Sequence, residues 1–163
     1  MRFDFTQLAR APLALVESAY VDVDFYGSID GSSSLAVLGV LDHTEAGGTA
    51  TLRIRMAFTG DVSSAVRAFV DPEKLTWVTV IAQRAGSHCS TFEIQPDHYA
   101  GLLHCRGGYR YLEQPGDETT RIEVAGDLSV KVPLMGRVAE RAIADGFRDH
   151  LADEAQALAA WGR

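Results

Sequence analysis

Val132-Pro133-Leu134-Met135-Gly136-Arg137-Val138-Ala139-Glu140-Arg141-Ala142-Ile143 opens the last stretch of the chain, which continues to Arg163 without another proline. Pro133 suits a first helical turn, where its missing N–H would have no partner in any case. Apolar or small residues then recur at steps of three and four: Leu134, Val138, Ala142, Gly146, Phe147, Leu151, Ala155, Leu158 and Trp161. The opposite side carries Arg137, Glu140, Arg141, Asp145, Arg148, Asp149, Asp153, Glu154 and Gln156. This spacing predicts one long amphipathic helix with a single apolar stripe. The stripe needs a wide apolar partner, and the preceding chain reads mostly as strand. A terminal helix closing a curved sheet is a container for an apolar small molecule.

Working back, residues 121–132 alternate, with Ile122, Val124, Leu128, Val130 and Val132 on one face and Arg121, Glu123, Asp127 and Lys131 on the other. Residues 75–84, 91–94 and 99–112 read as three further strands, and residues 114–117 as a turn. Residues 33–44 and 49–59 form a hairpin around the glycines of 45–48. The segment 61–70 is a loop or a helical turn, and Asp71-Pro72 is a break. Phe3 and Phe5 alternate in a first strand, a short helix follows Ala11-Pro12, and a second short turn or helix covers 22–26. The order is strand, two short helices, about six meandering strands and a long helix, an α+β arrangement in one domain spanning 1–163.

Composition narrows the function classes. Apolar residues at 47% and charged residues at 23% describe an ordinary globular chain. A net charge of −7 gives no basic surface for nucleic acid. No apolar run approaches the roughly 20 residues that span a bilayer. Met1-Arg2-Phe3-Asp4-Phe5 lacks a signal-peptide core, and two cysteines are too few for a disulfide scaffold, which together predict a cytoplasmic protein. Oligomeric state is not legible.

The element order is the helix-grip arrangement, and several stretches carry a family resemblance. They are Met1-Arg2-Phe3-Asp4-Phe5 with Ala11-Pro12, Asp24-Phe25-Tyr26, Leu75-Thr76-Trp77 and Pro96-Asp97-His98-Tyr99. The run from Gly126 to Gly136 follows, with Glu140, Glu154-Ala155 and Trp161. On these residues the chain resembles the DUF2505 family, a largely actinobacterial branch of the START-like (SRPBCC, Bet v 1-like, polyketide cyclase-like) superfamily. The resemblance implies a curved antiparallel sheet of six to seven strands gripping the last helix around an apolar cavity. It brings no catalytic set.

The polar constellation that invites chemistry is the repeated dipeptide His88-Cys89 and His104-Cys105. With Pro96-Asp97 as a two-residue turn, His88 falls opposite Cys105, and Cys89 opposite His104. Opposed residues share a face and neighbours do not, so the two pairs lie on opposite sides of the sheet. Neither a four-ligand metal site nor a Cys89–Cys105 disulfide is expected. Parity places Tyr99, Leu103, Cys105, Tyr109 and Tyr111 inward, together with His88 and Phe92, while Arg106 and Arg110 suit solvent. A Cys105–His88 nucleophile and base pair competes with a small buried cysteine beside a hydrogen-bonded histidine, and the second reading needs no missing third member.

Gly146 is a costly residue inside a helix, which either makes room for a ligand or packs closely on a bulky neighbour such as Trp77. His98 and His150 read as surface residues. The expected ligand-binding set is His88, Phe92, Tyr99, Leu103, Cys105, Tyr109, Tyr111, Gly146 and Phe147, with no cofactor and no metal. The leading function is a binder of an apolar or amphipathic small molecule, such as a lipid, fatty acyl chain or polyketide-like aromatic. The alternatives are a cyclase- or hydratase-type enzyme using a pocket tyrosine or His88, and a co-chaperone-like interaction module.

Overall fold

Alternation of buried and more exposed side chains, cleanest in the fifth strand, accompanies seven strands in the computed structural model, which describes residues 1–116 and 118–162. Asp117, in the turn expected over 114–117, and Arg163, the end of the terminal stretch, lie outside the described residues. The strands are β1 (Arg2–Ala9), β2 (Leu35–Ala46), β3 (Thr49–Phe58), β4 (Thr76–Arg84), β5 (Cys89–Pro96), β6 (Leu103–Glu113) and β7 (Thr120–Val130). They form one antiparallel sheet in the order β1-β7-β6-β5-β4-β3-β2. Helix α1 (Leu13–Ala19) follows β1, α2 (Ser64–Arg67) lies between β3 and β4, and α3 (Gly136–Ala160) closes the chain. The second short turn or helix expected over 22–26 is a turn over 23–25 that runs into a single 3-10 turn, Tyr26–Ser28.

Turn chemistry sets the β2–β3 register. Ala46 pairs with Thr49 across a two-residue loop in which Gly47 and Gly48 have φ of 59° and 79°, a conformation that glycine adopts without strain. Two register shifts in β2 leave Leu38 and Leu41 outside the ladder, which bends this edge strand.

Gly107 of β6 faces Gly126 of β7, a pair of residues without side chains in the middle of the curved sheet. A Cβ on Gly126 would lie 2.6 Å from the Arg106 carbonyl oxygen and 2.8 Å from the Phe3 ring. A Cβ on Gly107 would strike the Ala125 carbonyl and the Phe92 ring. The missing side chains let both phenylalanines tuck beneath the bent backbone and bury on the concave face.

Helix α3 runs across that face for 25 residues, about 37 Å at 1.5 Å per residue. Its start corrects the sequence reading. Pro133 is not in the first turn: residues 132–135 form a turn ahead of the helix, with Leu134 at φ 63° and fully exposed. Val138 is also half exposed, so the buried stripe begins only with Ala144, Gly146 and Phe147 and continues through Leu151, Ala155 and Leu158.

Because the groups facing Gly126 include backbone, Gly126→Ala is expected to cost about 1–3 kcal/mol. A urea midpoint within experimental error of the unsubstituted protein would show that the bend tolerates a side chain.

Candidate functional site

Between the first half of α3 and the sheet the packing is incomplete. A cavity of about 190 Å³ lies there, and exposure sorts its lining into depth and mouth. The depth is formed by Trp77 and Ile94, both buried, with Leu103 and Val130. Ala139, Ala142 and Ile143 of α3 cover it, and Val62, Val66 and Val70 of the 59–75 connection close its flank. The polar lining residues Asp61, Ser63, Lys74 and His98 are exposed and Tyr99 is half-buried, so they belong to the mouth. Where α3 approaches these strands it presents Val138, Ala139, Ala142 and Ile143, aliphatic side chains with no aromatic ring among them.

The second half of the same interface is filled. Tyr20 at the end of α1 stacks obliquely on Tyr109 and Tyr111 with ring centroids 5.1 and 5.3 Å apart. Phe92 meets Tyr109 at 5.5 Å and Phe147 at 6.0 Å, and Phe25 meets Trp161 edge-on at 5.4 Å. Within this aromatic block lies a buried carboxylate. Tyr20 Oη donates to Glu154 Oε2 at 2.6 Å, and His150 Nε2 lies 3.3 Å from Glu154 Oε1. Tyr26 Oη in turn donates to the Tyr20 carbonyl at 2.8 Å. Burial, and then the Glu154 charge, pushes the Tyr20 and Tyr26 phenols well above 10. Burial does the same to Tyr109, and to Tyr111 against a lowering hydrogen bond with Ser90.

Of the residues expected to bind a ligand, Tyr99 and Leu103 line the cavity. Phe92, Cys105, Tyr109, Tyr111 and Phe147 lie outside its lining, in or against the packed core. Gly146 makes no room for a guest either. A Cβ there would sit 2.5 Å from Ser34 Oγ and 3.4 Å from Leu35, so it packs closely on the start of β2 rather than on Trp77.

His88 does not face inward. It precedes β5 with φ 54°, its side chain is 56% exposed, and its Nδ1 lies 2.7 Å from Glu17 Oε1 on α1. The register explains the error. The β5–β6 connection spans 97–102 rather than two residues, because Asp97 is held by the neighbouring strands: its N–H donates to the Thr76 carbonyl, and its carboxylate accepts from Thr76 Oγ1 and Arg55. The Thr76 hydroxyl, and then Arg55, hold that carboxyl below its usual range against the opposing effect of burial. Cys89 therefore pairs with Arg110 and Phe92 with Gly107, while the His88 carbonyl accepts from the Tyr111 N–H. Cys105 and His88 are not opposed, and burial with the Asp127 charge pushes the Cys105 thiol up to about 12. No nucleophile and base pair exists there. Inward parity nevertheless holds for Ser90, Phe92, Ile94, Cys105, Tyr109 and Tyr111, since the true register differs from the expected one by an even number of residues.

His150, read as a surface residue, and Glu154, placed on the polar side of the helix, are buried. The signal available was their four-residue spacing, which puts them on one side of α3 beside the stripe. Among the described residues no cluster of three or more His, Cys, Asp or Glu could hold a metal, and no helix is long and apolar enough to cross a membrane.

A family model described as "Protein of unknown function (DUF2505)" matches residues 4–161. No curated protein matches the chain. Among solved structures, TTHA0849 from Thermus thermophilus superposes with a TM-score of 0.67 at 13% identity over 100% of both chains. The Zhui aromatase/cyclase from Streptomyces sp. R1128 gives 0.64 at 15% identity, covering 98% of this chain and 92% of its own. A START superfamily protein from Mycobacterium smegmatis gives 0.61 at 15%, covering 98% and 94%. At these identities the likeness is one of fold, the helix-grip START/Bet v 1-like fold.

Two measurements follow from the buried network. Glu154→Ala is expected to cost about 3 kcal/mol and Tyr20→Phe about 1.5 kcal/mol, since each strands a buried partner. Urea unfolding that moved neither value by more than 0.5 kcal/mol (roughly the scatter of neutral surface changes) would remove the network from the account of stability. The four raised phenols also give a sign. They favour the neutral form in the folded state, so their stabilisation is complete below pH 10 and is lost as pH rises above it. Phenolate absorbance from these tyrosines should therefore appear together with loss of near-ultraviolet circular dichroism, not before it.

Proposed function

This chain belongs to the DUF2505 family, and we propose that it binds an apolar or amphipathic small molecule in the cavity between α3 and the sheet. The observation that carries the reading is the hollow itself. The space has apolar walls and opens at a mouth, so water reaches those walls when no guest is present. A guest that fills it removes apolar surface from water, which gains about 25 cal/mol for each Å² covered.

The lining supports the same reading. Its depth offers only aliphatic and indole surface, and polar side chains are confined to the mouth, as in sites that hold an apolar body and orient it by one end. One structural neighbour is an aromatase/cyclase, an enzyme carried on this same fold. For this chain the cavity's depth presents no acid, base or nucleophile, which favours holding a molecule over transforming it.

Ala139 lies under α3 on the cavity wall, so Ala139→Phe fills the space from the inside. The variant is expected to keep its thermal midpoint and to lose binding of an apolar fluorescent probe by at least tenfold. Native mass spectrometry of the protein from its own source, with organic extraction, should recover an adduct from the original chain and none from the variant. Equal probe binding by both would sink the cavity as the site.

A further inference from the structure

We propose that the preferred guest is a short amphipathic monocarboxylate of about six to nine carbons, its chain in the cavity and its carboxylate at the mouth beside Lys74, His98 and Tyr99. This rests on the binding reading above and adds the chemistry of the head group.

Size sets the chain. An apolar cavity of about 150 Å³ holds a guest the size of benzene. At 190 Å³ this one takes a little more, and Trp77, Ile94, Leu103 and Val130 give that part no polar partner. A long acyl chain does not fit without moving a wall.

The hydrogen-bond inventory at the mouth sets the head. Tyr99 Oη accepts from the Asp71 N–H at 2.9 Å, and its own proton has no acceptor among the described residues. Lys74 makes no ion pair among the described residues, where ten ion pairs involve other groups. The His98 ring packs at an angle on Tyr99, with centroids 6.5 Å apart, and its nitrogens have no partner among the described residues. Thr76 Oγ1 is already spent on Asp97, and Ser63 Oγ accepts from the Val66 N–H. Free donors outnumber free acceptors among these side chains: the Lys74 ammonium, the Tyr99 hydroxyl proton and one ring N–H of His98 stand against one ring nitrogen of His98, which calls for an acceptor head. One lysine matches one negative charge. A phosphate would leave its second charge facing Asp61, the one carboxylate in the cavity lining.

The test titrates sodium octanoate and 1-octanol, the charged and neutral forms of one chain, into the protein by calorimetry at pH 7.5. Octanoate should bind more tightly than octanol, and its affinity alone should fall with added salt. Lys74→Gln should weaken octanoate roughly threefold to fivefold, the scale of an exposed ion pair, and leave octanol unchanged. Asp61→Asn should tighten octanoate and leave octanol unchanged. Both residues are exposed, so folding is not at risk, and thermal midpoints check it. Along a series from hexanoate to dodecanoate, affinity should stop rising at about nine carbons. If octanol binds and octanoate binds no better, or if Lys74→Gln changes both alike, the head-group proposal is overturned while the cavity stands. If neither binds, the cavity reading falls with it.

Discussion

A single helix must bury the concave face of a seven-strand sheet, and the remaining architecture follows from how unevenly it does so. The sheet stays open, with β1 and β2 as its edges, so its inner face has to be covered from outside. Curvature at Gly107 and Gly126 draws Phe3 and Phe92 toward α3, and the second half of the helix answers with Phe147, Leu151 and Leu158. Helix α1 adds Val16, Ala19 and the Tyr20 ring to the same end. No such supplement reaches the first half of α3. There the helix offers Val138, Ala139, Ala142 and Ile143 to strands carrying Trp77 and Ile94, and the valines of the 59–75 connection only flank the gap. The cavity lies where the helix brings aliphatic side chains and no aromatic ones.

The two ends also treat polar groups differently. At the filled end Glu154 is enclosed with Tyr20 and His150, where an unpaired charge would be severely unfavourable. A carboxylate with designated partners tolerates few arrangements, whereas an apolar filler tolerates many, so the network fixes how α1 and α3 meet. At the hollow end the polar side chains stand at the rim and remain hydrated. Chemistry is therefore not concentrated where the molecule is most enclosed: the buried carboxylate serves the scaffold, and the accessible donors face the mouth.

Much of this was legible in the sequence. Period-2 alternation located the strands, the glycine pair at 47–48 located a hairpin, and the 3.6-residue stripe located α3. The inward faces of β5 and β6 were legible because parity depends only on whether a register is odd or even. The register itself was not, since it depends on Asp97 gripping Thr76 and Arg55 across other strands, which no local pattern reveals. His88 was misplaced for a related reason: a left-handed residue just ahead of β5 interrupts the alternation that seemed to include it. The candidate site was only half legible. Inward aromatic residues mark a face, but a sequence does not distinguish a face that packs from a face that lines a space. Tyr109 and Tyr111 belong to the first kind, Tyr99 and Leu103 to the second. The difference lies in what faces them: Tyr20 at the end of α1 packs on Tyr109 and Tyr111.

The walls of the cavity differ in how firmly the fold holds them. The sheet is laddered on both sides of β4, β5 and β6, so displacing those strands breaks many backbone hydrogen bonds. Helix α3 is tied at its far end by the Glu154 network and by close packing of Gly146 on Leu35. The 59–75 connection is held far less: α2 is four residues long, Val66 and Val70 are its buried side chains, and the Tyr99 hydroxyl receives its Asp71 N–H. Segments with few buried apolar contacts open at the lowest free energy. The flank of the cavity is therefore the wall least tied to the rest of the fold, and the Tyr99 hydroxyl joins that flank to the mouth.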